Sequence, residues 1–235
     1  MEPMPEDWER AVAVAAHPDD LEYGLASVVA RFTRQGKQVS YVMVTSGEAG
    51  IDGMVPRECG RLREEEERRG AAAVGVDHVE FLGYPDGIVE YGLKLRQDLA
   101  GALRRLRPEL VFAINFDLTW GENGALNQPD HRAVGLAVLD ACRDAGNRWL
   151  FPEAGEPWSG TKTVYIAGGE APATHFVDVT GTIASGVASL AEHRAYIEGL
   201  GDSSFDPDRF VRDNAGYGGM AAGCQYAVLL RQFRI

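Results

Sequence analysis

The sequence predicts an α/β fold with a mostly parallel sheet and helices on both of its faces. Short apolar segments typical of buried strands alternate along the chain with longer amphipathic segments typical of helices. Each of the first four predicted strands is followed by a polar loop. In open α/β sheets ligands bind outside the carboxyl ends of the strands. We therefore expect the functional site at that edge of the sheet.

The first quarter of the chain contains the clearest elements. AVAVAA, at residues 11–16, is a continuous apolar run, which suits a strand buried on both faces of a parallel sheet. Residues 21–37 carry apolar side chains at helical spacing and contain a glycine near their end. Residues 38–50 (QVSYVMVTSGEAG) predict a β-branched strand that runs into a glycine-rich loop. A charged amphipathic helix then begins at Pro56 and ends at Gly75.

The same alternation continues through the middle of the chain. A third strand and its loop are predicted at residues 77–87, and a third helix at residues 93–108. A fourth strand follows at residues 109–116. After an irregular stretch at roughly residues 117–128, a helix is predicted at residues 130–146.

The last third of the chain gives weaker signals. Strands are predicted at residues 161–168 and 174–180, and a helix at residues 183–200. The segment AGYGGMAAG, at residues 215–223, does not follow the first strand as a dinucleotide fingerprint does, so close backbone packing near the site is the favoured interpretation. No repeat or linker divides the chain, and we expect a single domain over residues 1–235.

Composition excludes several classes of partner. The net charge of −12 at pH 7 argues against nucleic acid, which requires clustered Lys and Arg. The apolar run near the N-terminus is too short for a membrane span and lacks the basic start of a signal peptide. Three scattered cysteines form no CxxC pair and suggest free thiols in a reducing compartment. We therefore expect a cytoplasmic protein with neither a nucleic-acid nor a membrane partner.

Two polar segments contain candidate metal ligands. In HPDD, directly after the first strand, His17 and Asp20 are three residues apart and can point at one centre. In QPDHR, His131 stands at the start of a predicted helix and can supply the third ligand of a catalytic zinc site. Asp19 would then be a general base for a metal-bound water, which suits the hydrolysis of an amide or an ester.

The residues alone leave a simpler interpretation open with roughly equal weight. HPDD can form a turn in which Pro18 restricts the backbone and an aspartate caps the next helix. Asp130 and His131 can likewise cap and pack at the start of their helix.

A resemblance to a known family separates these interpretations. VAVAAHPDDLEYGLASVVAR resembles the PIG-L/LmbE family of zinc-dependent N-deacetylases, whose hallmark is AHPDD after the first strand. TSGEAG is similar to the family's second-strand loop, Arg63 and Glu66 match its RxxE helix motif, and PDHR matches the end of its HPDH motif. The resemblance covers most of the chain and implies a Rossmann-like fold.

The resemblance also implies roles for individual residues. His17, Asp20 and His131 would bind zinc, or iron or another divalent ion, and Asp19 would be the general base. Asp130 would support His131 or tune the charge of the site.

The substrate implied is an N-acetylated amino sugar or a glycosylated natural product. Arg63 and Asp86 would bind sugar hydroxyls, and Glu48 lies in the matching substrate-side loop. Relatives of this kind often assemble through their later segments, so a homo-oligomer is a further expectation.

One position departs from the family pattern. Gln128 stands where the first His of HPDH is expected; it can donate a hydrogen bond to an oxyanion but cannot act as an acid. We therefore expect Asp19 to serve as base and then as acid, with His193 as a rival acid. One alternative is a catalytically impaired protein that uses the metal site only to bind a ligand, and another is ester hydrolysis or isomerisation at the same site.

Overall fold

A single eight-stranded sheet organises the protein. The computed structural model describes residues 1–120, 124–169, 171–201 and 203–235. The strands of this sheet are β1 (Glu2–Pro3), β2 (Arg10–Ala15), β3 (Gln38–Thr45), β4 (His78–Tyr84), β5 (Leu110–Ile114), β6 (Thr163–Ala167), β7 (His175–Asp178) and β8 (Ala227–Arg234).

The sheet has the order β1-β7-β8-β6-β5-β2-β3-β4. Within the described ranges β8 pairs antiparallel with both of its neighbours, and the other pairings are parallel. The predicted mostly parallel α/β sheet is therefore confirmed. Because β2 lies near the centre, between β5 and β3, the residues that follow it reach the middle of the carboxyl edge.

Helices cover both faces of the sheet. They are α1 (Asp20–Gly24), α2 (Ala26–Arg34), α3 (Pro56–Ala73), α4 (Leu93–Leu106), α5 (Pro129–Gly146), α6 (Ile183–Leu190), α7 (Arg194–Gly199) and α8 (Pro207–Ala222). Alternate residues of β2 point to opposite faces: Ala13 joins a core with Phe32 of α2, and Val14 joins a second core with Leu99 of α4. The unbroken apolar run at residues 11–16 follows from this burial on both sides.

Two predicted helices are each divided in the structure. The helix predicted at residues 21–37 is α1 and α2, which meet at Leu25, where φ is −123° and ψ is −17°. The helix predicted at residues 183–200 is α6 and α7, with His193 between them. Both predictions were wrong in the same way, because apolar spacing continues across a short break that changes only a few backbone angles.

Among the strands and α-helices of the described ranges, β1, α8 and β8 have no counterpart in the prediction, and neither has a short 3-10 helix at Pro152–Ala154. Glycines disfavour the interior of a helix, and α8 contains three of them. Gly218 and Gly219 are nevertheless required there. A Cβ atom at Gly218 would lie 2.2 Å from the carbonyl oxygen of Ala227, and one at Gly219 would lie 2.5 Å from the carbonyl oxygen of Gln225. The predicted close backbone packing of this segment is therefore present, between α8 and the chain that enters β8.

Two smaller sequence predictions concern cysteines and membrane spans. The three cysteines are unpaired in the structure, as predicted. Among the helices of the described ranges, none combines the length and the apolar character needed to cross a membrane.

Candidate active site

The candidate site lies at the carboxyl edge of the sheet, as predicted. His17 follows β2, Gly47 follows β3 and Asp86 follows β4, while the first turn of α5 approaches from the loop after β5. The side chains around this point line a cavity of about 950 Å³. A volume of this size is at the upper end of the range for small-molecule sites.

His17, Asp20 and His131 converge at the floor of the cavity. Nδ1 of His17 lies 3.1 Å from Nε2 of His131. The Asp20 carboxylate lies 3.4 Å from the first of these nitrogens and 3.1 Å from the second. All three side chains are buried, and one ligand atom from each lies within 4.8 Å of the others.

The outer nitrogens of the two imidazoles are held by acceptors. Nε2 of His17 lies 3.0 Å from Asp86 and 3.3 Å from Asp130, and Nδ1 of His131 lies 3.0 Å from Oδ1 of Asn127. An acceptor on the outer nitrogen places the ring proton there and turns the lone pair of the inner nitrogen towards the centre. This donor set of two imidazoles and a carboxylate fits zinc, and it also suits iron(II).

Asn127 was not predicted as a site residue. Its amide nitrogen donates to the carbonyl oxygens of Asn115 at 3.0 Å and Asp117 at 3.1 Å, so its oxygen must face His131. The sequence offers one signal for it, its position directly before the QPDHR segment that contains His131. Asp130 was expected to support His131 or to tune the charge of the site. Its carboxylate contacts His17, and its role in the charge of the site stays a prediction.

The charge of the site favours a cation. Burial opposes protonation of His17, yet the carboxylates of Asp20, Asp130 and Asp86 outweigh it and raise the pKa of His17 to about 12. Burial disfavours the charge on Asp20 too, but the two imidazoles lower the pKa of that carboxyl. Three carboxylates around two imidazoles therefore attract positive charge to one point. A bound metal ion would supply that charge.

Asp19 lies beside this centre in a constrained conformation. Its φ of 88° is in the left-handed region, which costs energy for a residue with a side chain. Its N–H donates to Oε2 of Glu67 at 2.9 Å, and its Oδ1 lies 3.3 Å from the Arg63 guanidinium. Burial raises the pKa of Asp19 well above its usual range, although Arg63 opposes the shift. Asp19 therefore combines a fixed position with an unusually high affinity for a proton.

Arg63 and Asp86 also line the cavity, whereas Glu48 lies behind it. Arg63 donates to the carbonyl oxygens of Pro18 at 2.6 Å and Gly47 at 2.9 Å, and its guanidinium stacks 4.0 Å from the ring centre of Tyr196. Asp86 accepts from the N–H of Ala49 at 2.8 Å. Glu48 accepts from the N–H of Asp86 at 2.9 Å and so holds that loop in place. Gly47 must be glycine, because a Cβ atom there would lie 2.3 Å from the Arg63 guanidinium.

Gln128 and Asp130 occupy the N-terminus of α5 in different environments. Gln128 is exposed, lines the cavity and uses its N–H to donate to Asn127 at 2.8 Å. Asp130 is fully buried and accepts from the N–H groups of Gly87 at 2.7 Å and Val89 at 3.1 Å. The Gln128 amide can thus point at a ligand, while Asp130 joins His17 to the loop after β4.

His193 does not line the cavity within the described ranges. It is fully buried, and its Nε2 lies 3.7 Å from Glu22 and 3.8 Å from Glu67. Burial lowers the pKa of His193 to about 3. The structure therefore places this rival acid behind the site, where it packs against the carboxylate that holds Asp19.

The region that contains the site matches a known family. A family model described as "PIG-L: GlcNAc-PI de-N-acetylase" matches residues 12–142, which is more than half of the chain and includes every residue predicted for the site apart from the rival acid His193. Diacetylchitobiose deacetylase of Thermococcus kodakarensis is 30% identical over 142 residues, 60% of this chain and 51% of that protein. A 1D-myo-inositol 2-acetamido-2-deoxy-alpha-D-glucopyranoside deacetylase of Saccharopolyspora erythraea is 30% identical over 181 residues, 65% of this chain and 63% of that protein.

A similar fold is present among solved structures. N,N'-diacetylchitobiose deacetylase from Pyrococcus horikoshii superposes with a TM-score of 0.84 over 97% of this chain and 84% of that chain, at 23% identity. At this identity the likeness shows the fold alone. The chain spans only between half and two thirds of the length of the two curated relatives above.

Proposed function

Because this chain belongs to the PIG-L family, we propose that it is a metal-dependent hydrolase that removes an N-acetyl or other N-acyl group from an amino sugar or a glycosylated natural product. The observation that carries the proposal is the position of Asp19 beside the His17, Asp20 and His131 cluster. Metal binding does not require a second aspartate, whereas hydrolysis requires a base. The two curated relatives are deacetylases of amino-sugar compounds, which supports this substrate class.

In this proposal His17, Asp20 and His131 hold the metal, zinc by preference. A divalent metal in this position lowers the pKa of water and polarises a carbonyl group. Asp19 accepts the proton of the attacking water and returns it to the leaving amine.

Gln128 contributes a hydrogen bond and no proton. Its exposed amide lies on the cavity wall at the N-terminus of α5 and can donate to the oxygen of the polarised carbonyl. Arg63 and Asp86, on the β3 and β4 side of the cavity, are the proposed contacts for sugar hydroxyls. Glu48 takes part indirectly, through the N–H of Asp86.

Metal analysis combined with an acetate-release assay tests the proposal. We expect about one bound zinc per chain and release of acetate from at least one member of a panel of N-acetyl amino sugars. A chelator should abolish both, and added zinc should restore both. A protein that carries zinc and binds these sugars but releases no acid from any acyl derivative would contradict hydrolysis. That result would support the ligand-binding alternative.

A further inference from the structure

The cavity continues beyond the metal ligands into a region that the proposed reaction with an acetyl group does not use. We propose that this region, called here the acyl lobe, binds a medium-length fatty acyl chain on the amide nitrogen of the substrate. This inference rests on the proposed amide hydrolysis and names its acyl group. The lobe is defined by the apolar residues Ile114, Ala167, Phe210, Val211, Ala215 and Leu229.

The strand order places the two ends of the cavity on opposite sides of the metal ligands. His17 follows β2, and the polar residues Arg63 and Asp86 lie on the side of β3 and β4. The acyl lobe lies on the other side, at the ends of β5 and β6 and against α8 and β8. A substrate cleaved at the centre therefore has one part in polar and the other in apolar surroundings.

The position of Asp19 decides which part of the substrate lies on which side. The leaving amine has to approach Asp19 to receive its proton, and Asp19 is ion-paired with Arg63 at 3.3 Å on the polar side. The sugar carries that amine, so the sugar occupies the polar side. The substituent of the carbonyl carbon then points away from Arg63, towards the acyl lobe.

The chemistry of the lobe fits an alkyl chain. Small residues form part of its walls: Gly24, Ala167 and Ala215 all line the cavity. Its one cationic side chain, Arg231, lies 3.5 Å from Asp117, so the lobe offers no unpaired charge among the described residues. The whole cavity, sugar side included, measures about 950 Å³, which leaves room for a substrate larger than an N-acetyl sugar. Apolar walls whose one charge is paired favour a chain of several methylene groups.

The reaction is hydrolysis with a longer acyl group. The amide C–N bond breaks, the water oxygen forms a bond to the carbonyl carbon, and the products are a fatty acid and the free amino sugar. One proton of the water passes through Asp19 to the amine nitrogen. No oxidant, reductant or additional co-reactant is needed.

Two measurements on the zinc-loaded protein test the lobe. The first is calorimetric binding of acetate, butyrate, hexanoate and octanoate, which reports on the lobe without turnover. The second is kcat/KM for glucosamine that carries the corresponding N-acyl groups. We expect affinity and kcat/KM to rise by about twofold to fourfold for each added methylene, until the chain fills the lobe.

A pair of variants on α8 localises the effect. Asn214 is exposed on the cavity wall, so Asn214→Trp narrows the lobe without disturbing the core. Met220 is 77% exposed and is not among the cavity-lining residues of the described ranges, so Met220→Trp is the matched control. We expect the ratio of octanoate to acetate binding to fall at least about tenfold in Asn214→Trp and to stay unchanged in Met220→Trp.

The outcomes separate this inference from the proposed function. If N-acetylglucosamine is hydrolysed but longer chains bind no better than acetate, the lobe proposal is wrong and the proposed function stands. If longer acids bind better in a manner sensitive to Asn214→Trp while no amide is cleaved, the lobe exists and the proposed hydrolysis is wrong. Equal loss of octanoate binding in both tryptophan variants would also overturn the lobe assignment.

Discussion

Replacing Asp130 should weaken both the fold and the metal site. Its buried carboxylate accepts from two backbone N–H groups and contacts the outer nitrogen of His17. In Asp130→Ala the N–H of Val89 loses its acceptor in a buried position, at a cost of about 1–3 kcal/mol. Gly87 is exposed, so water can replace the lost acceptor of its N–H, and the loss of this hydrogen bond should cost only about 0.5–1.5 kcal/mol of stability.

The sum is about 1.5–4.5 kcal/mol, which corresponds to a fall in Tm of roughly 3–18 °C for a chain of this length. Zinc affinity should also fall by about tenfold, the low end of the usual effect, because Asp86 still holds the outer nitrogen of His17. Asp130→Asn should lose less stability, since its amide oxygen can still accept one of the two N–H groups.

Thermal unfolding of the metal-free protein and zinc titration against a competing chelator measure the two effects separately. Arg143→Ala is the matched control, because Arg143 is exposed on the same helix and should change stability by less than about 0.5 kcal/mol. A Tm of Asp130→Ala within about 2 °C of wild type would refute the account of its two hydrogen bonds. Unchanged zinc affinity would show that Asp130 holds the loop after β4 and does not orient His17.

Three further predictions concern the groups around the centre. Asp19→Asn should bind zinc normally, but its kcat should be about 100-fold to 10,000-fold lower than that of wild type. Near-normal turnover in this variant would exclude Asp19 as the base. Gln128→His should raise kcat by about tenfold to 100-fold with little change in KM, because an imidazole can donate both a hydrogen bond and a proton. A fall in kcat/KM caused by a higher KM would instead show that Gln128 contacts the substrate. Burial lowers the pKa of His193 to about 3, so between pH 6.5 and 3 the unfolded chain binds more protons than the folded chain, and stability falls as the pH falls through that window. Urea unfolding measures this effect. Between pH 7.5 and pH 5 the free energy of unfolding should fall by about 2 kcal/mol more in wild type than in His193→Asn. Equal decreases in the two proteins would contradict a neutral buried imidazole.

Several features of the fold and the site could be predicted because they are encoded locally. The apolar run at residues 11–16 identified a strand buried on both faces, and the polar loops after the strands identified the carboxyl edge as the site. The divisions at Leu25 and His193 could not be predicted, because apolar periodicity continues through them. The helix α8 was missed because its glycines are chosen for close packing against a distant segment rather than for helix formation.

The sequence by itself determined the chemistry available to this protein: candidate imidazole and carboxylate ligands in two segments, a second aspartate beside them, and a glutamine at the position where the resemblance predicts a histidine. Only the tertiary structure decided how these groups face one another. His17 and His131 are 114 positions apart, and their contact depends on the register of parallel strands. The fold likewise brings Asp130 to His17 and Glu67 to Asp19, although these pairs are far apart in the sequence. Such pairings arise from packing between distant segments, and no local pattern of residues specifies them.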